Sequence, residues 1–467
     1  MRSHVRISLL ALVLGASVAV LAPAAAQAAA EVPVVEKLVA TNCKVSTCGE
    51  EDVEGPFFEP KANVTVKEAE AEGFTQAGGR VPFGITDFKV QTIPGGKYLT
   101  GTVVPTLRVT HIRTDVAAGL ATNPFAVERC SPAEFGKELV PGTGFFTAPG
   151  AECKKSEIGE NDATVYGGNP EEGGAGDLPL SGTVYDLVPG ESEKMANGAR
   201  LSSLYGVALG LPMPLTGALL AKGFKEAEAK GAKPGENGFP SLGEQKFLEE
   251  QQYFAHTLIK GNVEWGKEAR GTNVGDYHDY FEIEVSPALP LIRSRLTFKG
   301  TLGKEDKTGE GDFITNATSC PGHNTTSLKV TDLEGHEAPV KTFTTPIGLS
   351  GCGSLLFEPS FALTSGSTLS DQPNEITAEA SEPNEPTANA QSQVKTASVT
   401  LPEGMTLNPS AAHGLEACTV AQARIHSEAF GVECPVGSEL GTVSLDVPTL
   451  PTGSLTGSMY LGGPVTG

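Results

Sequence analysis

The sequence predicts a mainly β protein, with tandem antiparallel β-sandwich domains of immunoglobulin-like type and a short helical insertion. Three observations carry this expectation. Gly 56 and Pro 33 are abundant in a chain of 467 residues, and helices tolerate both poorly. Short stretches alternate apolar and polar with period two, as half-buried strands require. A set of sequence elements also occurs twice in the same order, at an interval far too long for a solenoid, which points to duplicated domains.

The repeated elements are specific. One copy reads Gly119-Leu120-Ala121-Thr122-Asn123-Pro124, then Cys130-Ser131, Cys153, Ser156-Glu157-Ile158-Gly159 and Leu180-Ser181-Gly182-Thr183-Val184-Tyr185. The other reads Gly404-Met405-Thr406-Leu407-Asn408-Pro409, then Cys418-Thr419, Cys434, Ser438-Glu439-Leu440-Gly441 and Leu455-Thr456-Gly457-Ser458-Met459-Tyr460. Strands are expected over 399–401, 441–448 and 455–461 in the second copy. The turn at Pro402-Glu403-Gly404 uses the fixed φ of Pro and the tolerance of Gly.

Between the copies, 280–285 and 294–300 alternate clearly, and 326–330 and 340–344 more weakly. The run 355–363 is broken by Pro359, so it reads as an edge strand or two short ones. A helical insertion is expected at about 201–265, where 223–233 is rich in Lys, Glu and Ala. Ser241 is placed to cap a helix with Glu244 in its first turn. The acidic, Pro-bearing stretch 375–393 is nearly free of large apolar residues and reads as a flexible loop or linker.

Domain boundaries follow. Residues 1–28 have the form of a secretory signal peptide: Arg2 and Arg6, an uncharged apolar run over 7–21, then Ala26-Gln27-Ala28 for cleavage. The apolar run falls short of the about 20 residues that a membrane span needs. An N-terminal segment, 29–72, carries Cys43 and Cys48. The first β domain is expected over 73–345 and the second, duplicated one over 346–467, cut short at its C-terminal side. The protein is thus expected to be secreted, extracellular or associated with the cell surface.

Eight cysteines follow the signal peptide, and an even number in an exported chain indicates disulfides. Roughly a hundred pairings are possible, but the spacing favours neighbours: Cys43 with Cys48, Cys130 with Cys153, Cys320 with Cys352, and Cys418 with Cys434. A zinc knuckle needs two close ligand pairs, and one is present. The formal net charge of -22 argues against nucleic acid, whose binding needs clustered Lys and Arg, and against anionic lipid.

The search for chemistry leaves little. Gly-x-Ser-x-Gly, a phosphate loop and His-Glu-x-x-His are absent; Gly348-Leu349-Ser350-Gly351-Cys352 fails at its last position, and His336-Glu337 reads as a turn. The stretch from Asp306 to Asp312 has oxygen ligands and a glycine where a calcium loop wants them, but Ala317 stands where the bidentate Glu belongs. No cofactor, metal ligand set or catalytic residue is assigned. The weak candidate binding loop is Trp265 with Asp276, His278 and Asp279, because surface loops carry binding residues; a turn and ordinary packing account for the same residues.

Several phrases also carry a family resemblance: Thr75-Gln76-Ala77-Gly78-Gly79, Phe83-Gly84-Ile85-Thr86-Asp87-Phe88, Val184-Tyr185-Asp186-Leu187-Val188-Pro189, Asn316-Ala317-Thr318-Ser319-Cys320-Pro321, Ser350-Gly351-Cys352 with Leu356-Phe357-Glu358-Pro359, and the stretch from Leu401 to Ala412. Through them the chain resembles large secreted, disulfide-bearing, repeat-containing uncharacterised proteins of high-GC, actinobacterial-type bacteria. The resemblance implies backbone shape rather than chemistry. The expected role is structural or binding, toward cell-wall or extracellular glycan or protein, and more non-catalytic than enzymatic. A secreted polymer hydrolase with its site on loops of the first domain is the alternative.

Overall fold

The computed structural model describes residues 34–463 except 53–57, 95–102, 107, 137, 141–144, 169–175, 191–192, 237–238, 267–276, 288, 303–311, 321, 371, 384–388, 406–415, 426, 428–430, 448–452 and 454. The signal peptide, Asp276 and all but Asp312 of the loop 306–312 lie outside the described residues.

The protein is mainly β, and most of its strands join one antiparallel sheet. In chain order these are β1 (Val35–Cys43), β2 (Phe83–Val90), β3 (Val109–Asp115), β4 (Glu157–Tyr166), β5 (Asp177–Leu187), β6 (Ser203–Gly210), β7 (Phe254–Trp265), β8 (Tyr277–Glu284), β9 (Leu291–Lys299), β10 (Thr325–Asp332) and β11 (Lys341–Thr344). Their order across the sheet is β1-β2-β9-β4-β5-β6-β7-β8-β3-β10-β11, and two short strands at its margin bring the total to 13. Val35 and Leu38 at one end of this order share an apolar cluster with Leu328 and Val330 at the other. The sheet therefore curls back on itself and encloses its own core.

Local sequence explains the strands. In β8, alternation places His278, Tyr280 and Glu282 on one face and Asp279, Phe281 and Ile283 on the other. The central strand β6, Ser-Leu-Tyr-Gly-Val-Ala-Leu-Gly, is buried along most of its length, as a strand covered on both faces must be. Tyr205, Val207, Ile259 and Phe313 pack on its inner side. On its outer side Leu204 and Ala208 pack with Phe135 and the Cys130–Cys153 region.

The helical insertion is narrower than 201–265, because β6 and β7 occupy its flanks. Its helices are Met213–Ala229 and Leu242–Glu249. Ser241 caps the second in a reciprocal box with Glu244, as the sequence suggested. Leu220 and Phe224 of the first enter the main core. Near the N-terminus, Val66–Glu72 forms a further helix with a Thr65–Glu68 capping box.

A buried charge network ties the N-terminal segment to the sheet. Asp87, fully buried, accepts two bonds from Arg293, at 2.9 and 2.6 Å, and one from Arg295, at 2.8 Å. Arg293 also reaches Glu50 and the carbonyl of Phe58. Arg295 reaches the carbonyls of Ser46 and Cys48. Pairing within one network offsets the desolvation of all these charges.

All eight cysteines form disulfides between sequence neighbours: Cys43–Cys48, Cys130–Cys153, Cys320–Cys352 and Cys418–Cys434. Loop-closure entropy scales with the length enclosed. Replacing both Cys320 and Cys352 by serine, which opens a span of 32 residues, is expected to cost about 3–4 kcal/mol in denaturant titrations. The same change at Cys43 and Cys48, with a separation of 5, is expected to cost about 2 kcal/mol.

Toward the C-terminus the strands form two-stranded hairpins: β12 (Ser360–Ser365) with β13 (Ile376–Ser381), and β14 (Glu439–Leu445) with β15 (Leu455–Tyr460). Strand β12 begins just after Pro359. Strand β13 lies inside the acidic stretch expected to be a linker, where Ile376, Ala378 and Ala380 alternate with polar residues. Residues 391–401 run exposed or half-buried without strand pairing, although 399–401 has strand-like sequence; no sheet edge among the described residues pairs with it.

Candidate functional site

Three neighbouring strands build a buried polar cluster on the outer face of the sheet. The register sets Arg113 of β3 opposite Glu282 of β8, Asp115 opposite Tyr280, and Glu264 of β7 opposite His278. Alternation puts all of these side chains on one face.

Arg113 is the centre. Its Nε lies 3.1 and 3.2 Å from the two Asp115 oxygens, and its terminal nitrogen donates to Asp115 Oδ1 at 2.6 Å and also to Glu264. The guanidinium lies 4.0 Å over the Tyr280 ring and 4.0 Å from Glu282. His278 Nε2 donates to Asp115 Oδ1 at 3.1 Å and lies 3.8 Å from Glu264. Its Nδ1 is buried and has no hydrogen-bond partner among the described residues. The segment around residues 195–200 covers the face: Ala196 N–H donates to Glu282, Asn197 donates to the Tyr280 hydroxyl, and Met195 and Ala199 pack on Tyr280.

Burial alone would raise the Asp115 pKa, but the hydrogen bonds from His278 and Arg113 hold it below its ordinary value. Carboxylate oxygens of Asp115 and Glu264 and a ring nitrogen of His278 lie within 4.8 Å of one another, close enough to ligate one ion. Arg113 already supplies a cation between the same two carboxylates, so these residues fit a metal poorly. A second such group, Asp332, Glu334 and His336, forms a turn in which Asp332 Oδ1 accepts the N–H groups of Glu334 and His336.

The opposite face of the same strands differs. Asp279 points toward the interior, where burial pushes its carboxyl up to about 7 against the effects of His278 and the Thr122 N–H. Tyr205 donates to the Thr122 hydroxyl at 3.1 Å. Beside Tyr205, Asp186 is fully buried, and among the described residues neither of its carboxylate oxygens has a hydrogen-bond partner. Burial pushes the Asp186 carboxyl up to about 8, against the field of Arg129. At the strand ends Trp265 and Tyr277 form an edge-to-face pair with centroids 4.9 Å apart, and Tyr277 is exposed.

The four residues of the candidate loop therefore separate. Trp265 and Asp279 share the inner side of the β7–β8 pair, His278 belongs to the outer cluster, and Asp276 lies outside the described residues. Sequence reasoning missed Arg113, Asp115, Glu264 and Glu282. The legible signal was period-two placement of His278, Tyr280 and Glu282 on one strand face, which requires polar partners if that face is covered. Asp186 was also missed, although a lone Asp in Val184-Tyr185-Asp186-Leu187 interrupts an apolar run. No protein-family model, curated protein or solved structure matches the chain.

Proposed function

We propose that this is a secreted or cell-surface protein with a structural or binding role, assembled from a repeated, disulfide-braced β-sandwich unit. Its ligand is a cell-wall or extracellular glycan or protein, met at the strand ends that carry Trp265 and Tyr277. The observation that carries this reading is the internal neutralisation of the polar cluster. Arg113 bonds both Asp115 and Glu264, and His278 is held by Asp115, so the cluster braces three strands. Four disulfides, with no cysteine left free, suit an oxidising compartment. Among the described residues no helix is long and apolar enough to cross a membrane. The net charge of -22 disfavours nucleic acid as partner.

Fractionation of the producing cell tests the role. The mature chain is expected in the salt-washed envelope and on purified wall. Tyr277→Ala removes an exposed aromatic surface and is expected to weaken retention about tenfold, the scale of one aromatic contact. Free chain in the medium, with wild-type-like retention of the variant, would overturn the wall-binding role. It would favour the second reading, a secreted polymer hydrolase with its site on loops of the first domain.

A further inference from the structure

We propose that Asp186, on the inner side of the curled sheet, anchors a calcium site completed by the Tyr205 phenol oxygen and the charge of Asp279. The inference goes beyond the binding role proposed above and does not depend on it. It rests on how this chain treats its other buried carboxylates, and on what the repeated unit carries at the same place.

The other buried carboxylates are answered by the chain itself. Asp87 is held by Arg293 and Arg295, and Asp115 by Arg113 and His278. Glu282 accepts the Ala196 N–H, and Asp332 accepts the N–H groups of Glu334 and His336. Asp186 is 0% exposed, yet among the described residues neither of its carboxylate oxygens has a hydrogen-bond partner. A buried carboxylate left in that state is costly. The field of Arg129 reaches Asp186, but its guanidinium lies 4.5 Å over the Phe125 ring and makes no bond to the carboxylate.

The fold does not need an acid at this position. Hairpins β4–β5 and β14–β15 share one pattern. Glu157 faces Tyr185 and Glu439 faces Tyr460, and each strand then bulges before Gly159 or Gly441. Cys130 N–H donates to the Asp186 carbonyl, and Cys418 N–H to that of Leu461. Val188 and Gly463 return bonds to the carbonyls of those cysteines. Asp186 therefore corresponds to Leu461, and Arg129 to Ala417. The same backbone closes around an apolar residue in the second copy, so the carboxylate is an addition to the unit and no part of its frame.

The surroundings supply oxygen. Alternation puts Asp186 on the side of Val184, which belongs to the inner cluster, and the register sets it directly across from Tyr205 of β6. Tyr205 donates its proton to the Thr122 hydroxyl at 3.1 Å, which leaves the lone pairs of its own oxygen for an ion. Asp279 faces inward from β8 and accepts the Thr122 N–H. The charges of Asp186 and Asp279 both act on the Tyr205 phenol. Oxygen donors without cysteine or histidine suit a hard cation, and two carboxylates favour a divalent one. Calcium accepts irregular oxygen sets and binds carboxylates through one oxygen or two, whereas magnesium demands a near-ideal octahedron. Without calcium, a proton takes the ion's place on Asp186 and leaves it neutral.

The test melts the full-length chain in excess chelator and in about 10 mM calcium chloride, above the about 0.1–1 mM dissociation constants of extracellular calcium modules. Calcium is expected to raise the melting temperature by about 2–5 °C. Asp186→Asn keeps the size of the side chain and Asp186→Leu copies Leu461, so both should fold and both should lose the shift. Asp279→Asn should weaken calcium binding about tenfold. Terbium, which substitutes for calcium, should emit on tyrosine excitation in the wild-type chain, because Tyr205 adjoins the ion, and not in Asp186→Asn. A calcium shift retained in both Asp186 variants would place the ion elsewhere on this acidic chain and overturn the proposal. So would a wild-type chain with neither a calcium shift nor terbium emission.

Discussion

Replacing Arg113 by methionine is expected to destabilise the protein by about 3–5 kcal/mol in urea titrations at neutral pH. Methionine keeps most of the stem's packing and removes the guanidinium that bonds Asp115 and Glu264. Asp115 is only 3% exposed at its side chain, and it would keep His278 as its one remaining partner in the cluster. Such a carboxylate must stay charged at a desolvation cost or take up a proton. The sign of the pH dependence follows. The folded-state pKa of Asp115 lies below its ordinary value, so its contribution is present above about pH 4 and lost as pH falls through the folded value. The variant should lose that part of the acid transition. Arg113→Lys restores charge without the planar fork and should recover only part of the loss. A cost under about 1 kcal/mol for Arg113→Met would mean that water solvates the cluster after substitution.

The opposite sign is expected at Asp186. Its carboxyl titrates at about 8 in the folded protein and near 4 in an unfolded chain. The folded state therefore holds the extra proton between those values. Stability is greatest below about pH 4, falls as pH rises and levels off above about 8. Over the whole window the loss is about 5–6 kcal/mol by linkage. Asp186→Asn has no charge to bury, so it should flatten this part of the profile and raise the melting temperature most at alkaline pH. The check is calorimetry of both proteins from pH 4 to 9. Parallel profiles would show that Asp186 ionises freely in the fold.

The two residues also mark what was legible in the sequence. Local signals were strong: nearest-neighbour disulfides, the Ser241 cap and the alternation of β8 each depend on residues close in the chain. The mainly β class followed from the same local patterns. Long-range pairing was not legible, because nothing in Val109-Thr110-His111-Ile112-Arg113-Thr114-Asp115 says that its neighbours in the sheet are β8 and β10. The cluster around Arg113 exists only through that register. The separation of His278 from Asp279 was in principle available, since adjacent strand residues face opposite sides. Treating 276–280 as a loop hid it. The helical insertion was drawn too wide because β6, apolar at nearly every position, has no period-two signature to set it apart from a buried helix.

The join between β2 and β9 bears on the order in which the fold is made. Asp87 and Arg293 are 206 residues apart, and the strands that carry them lie side by side. As the chain emerges, β1 and β2 can pair early, but Asp87 then waits for cations that arrive much later. Closing so long a loop is entropically slow, and high contact order lengthens folding times. The early hairpin is thus a poor nucleus by itself, whereas β4–β5, braced by the nearby Cys130–Cys153 bridge, can form locally. Assembly should start in the middle of the sheet and finish at the seam that unites its first strands with its ninth.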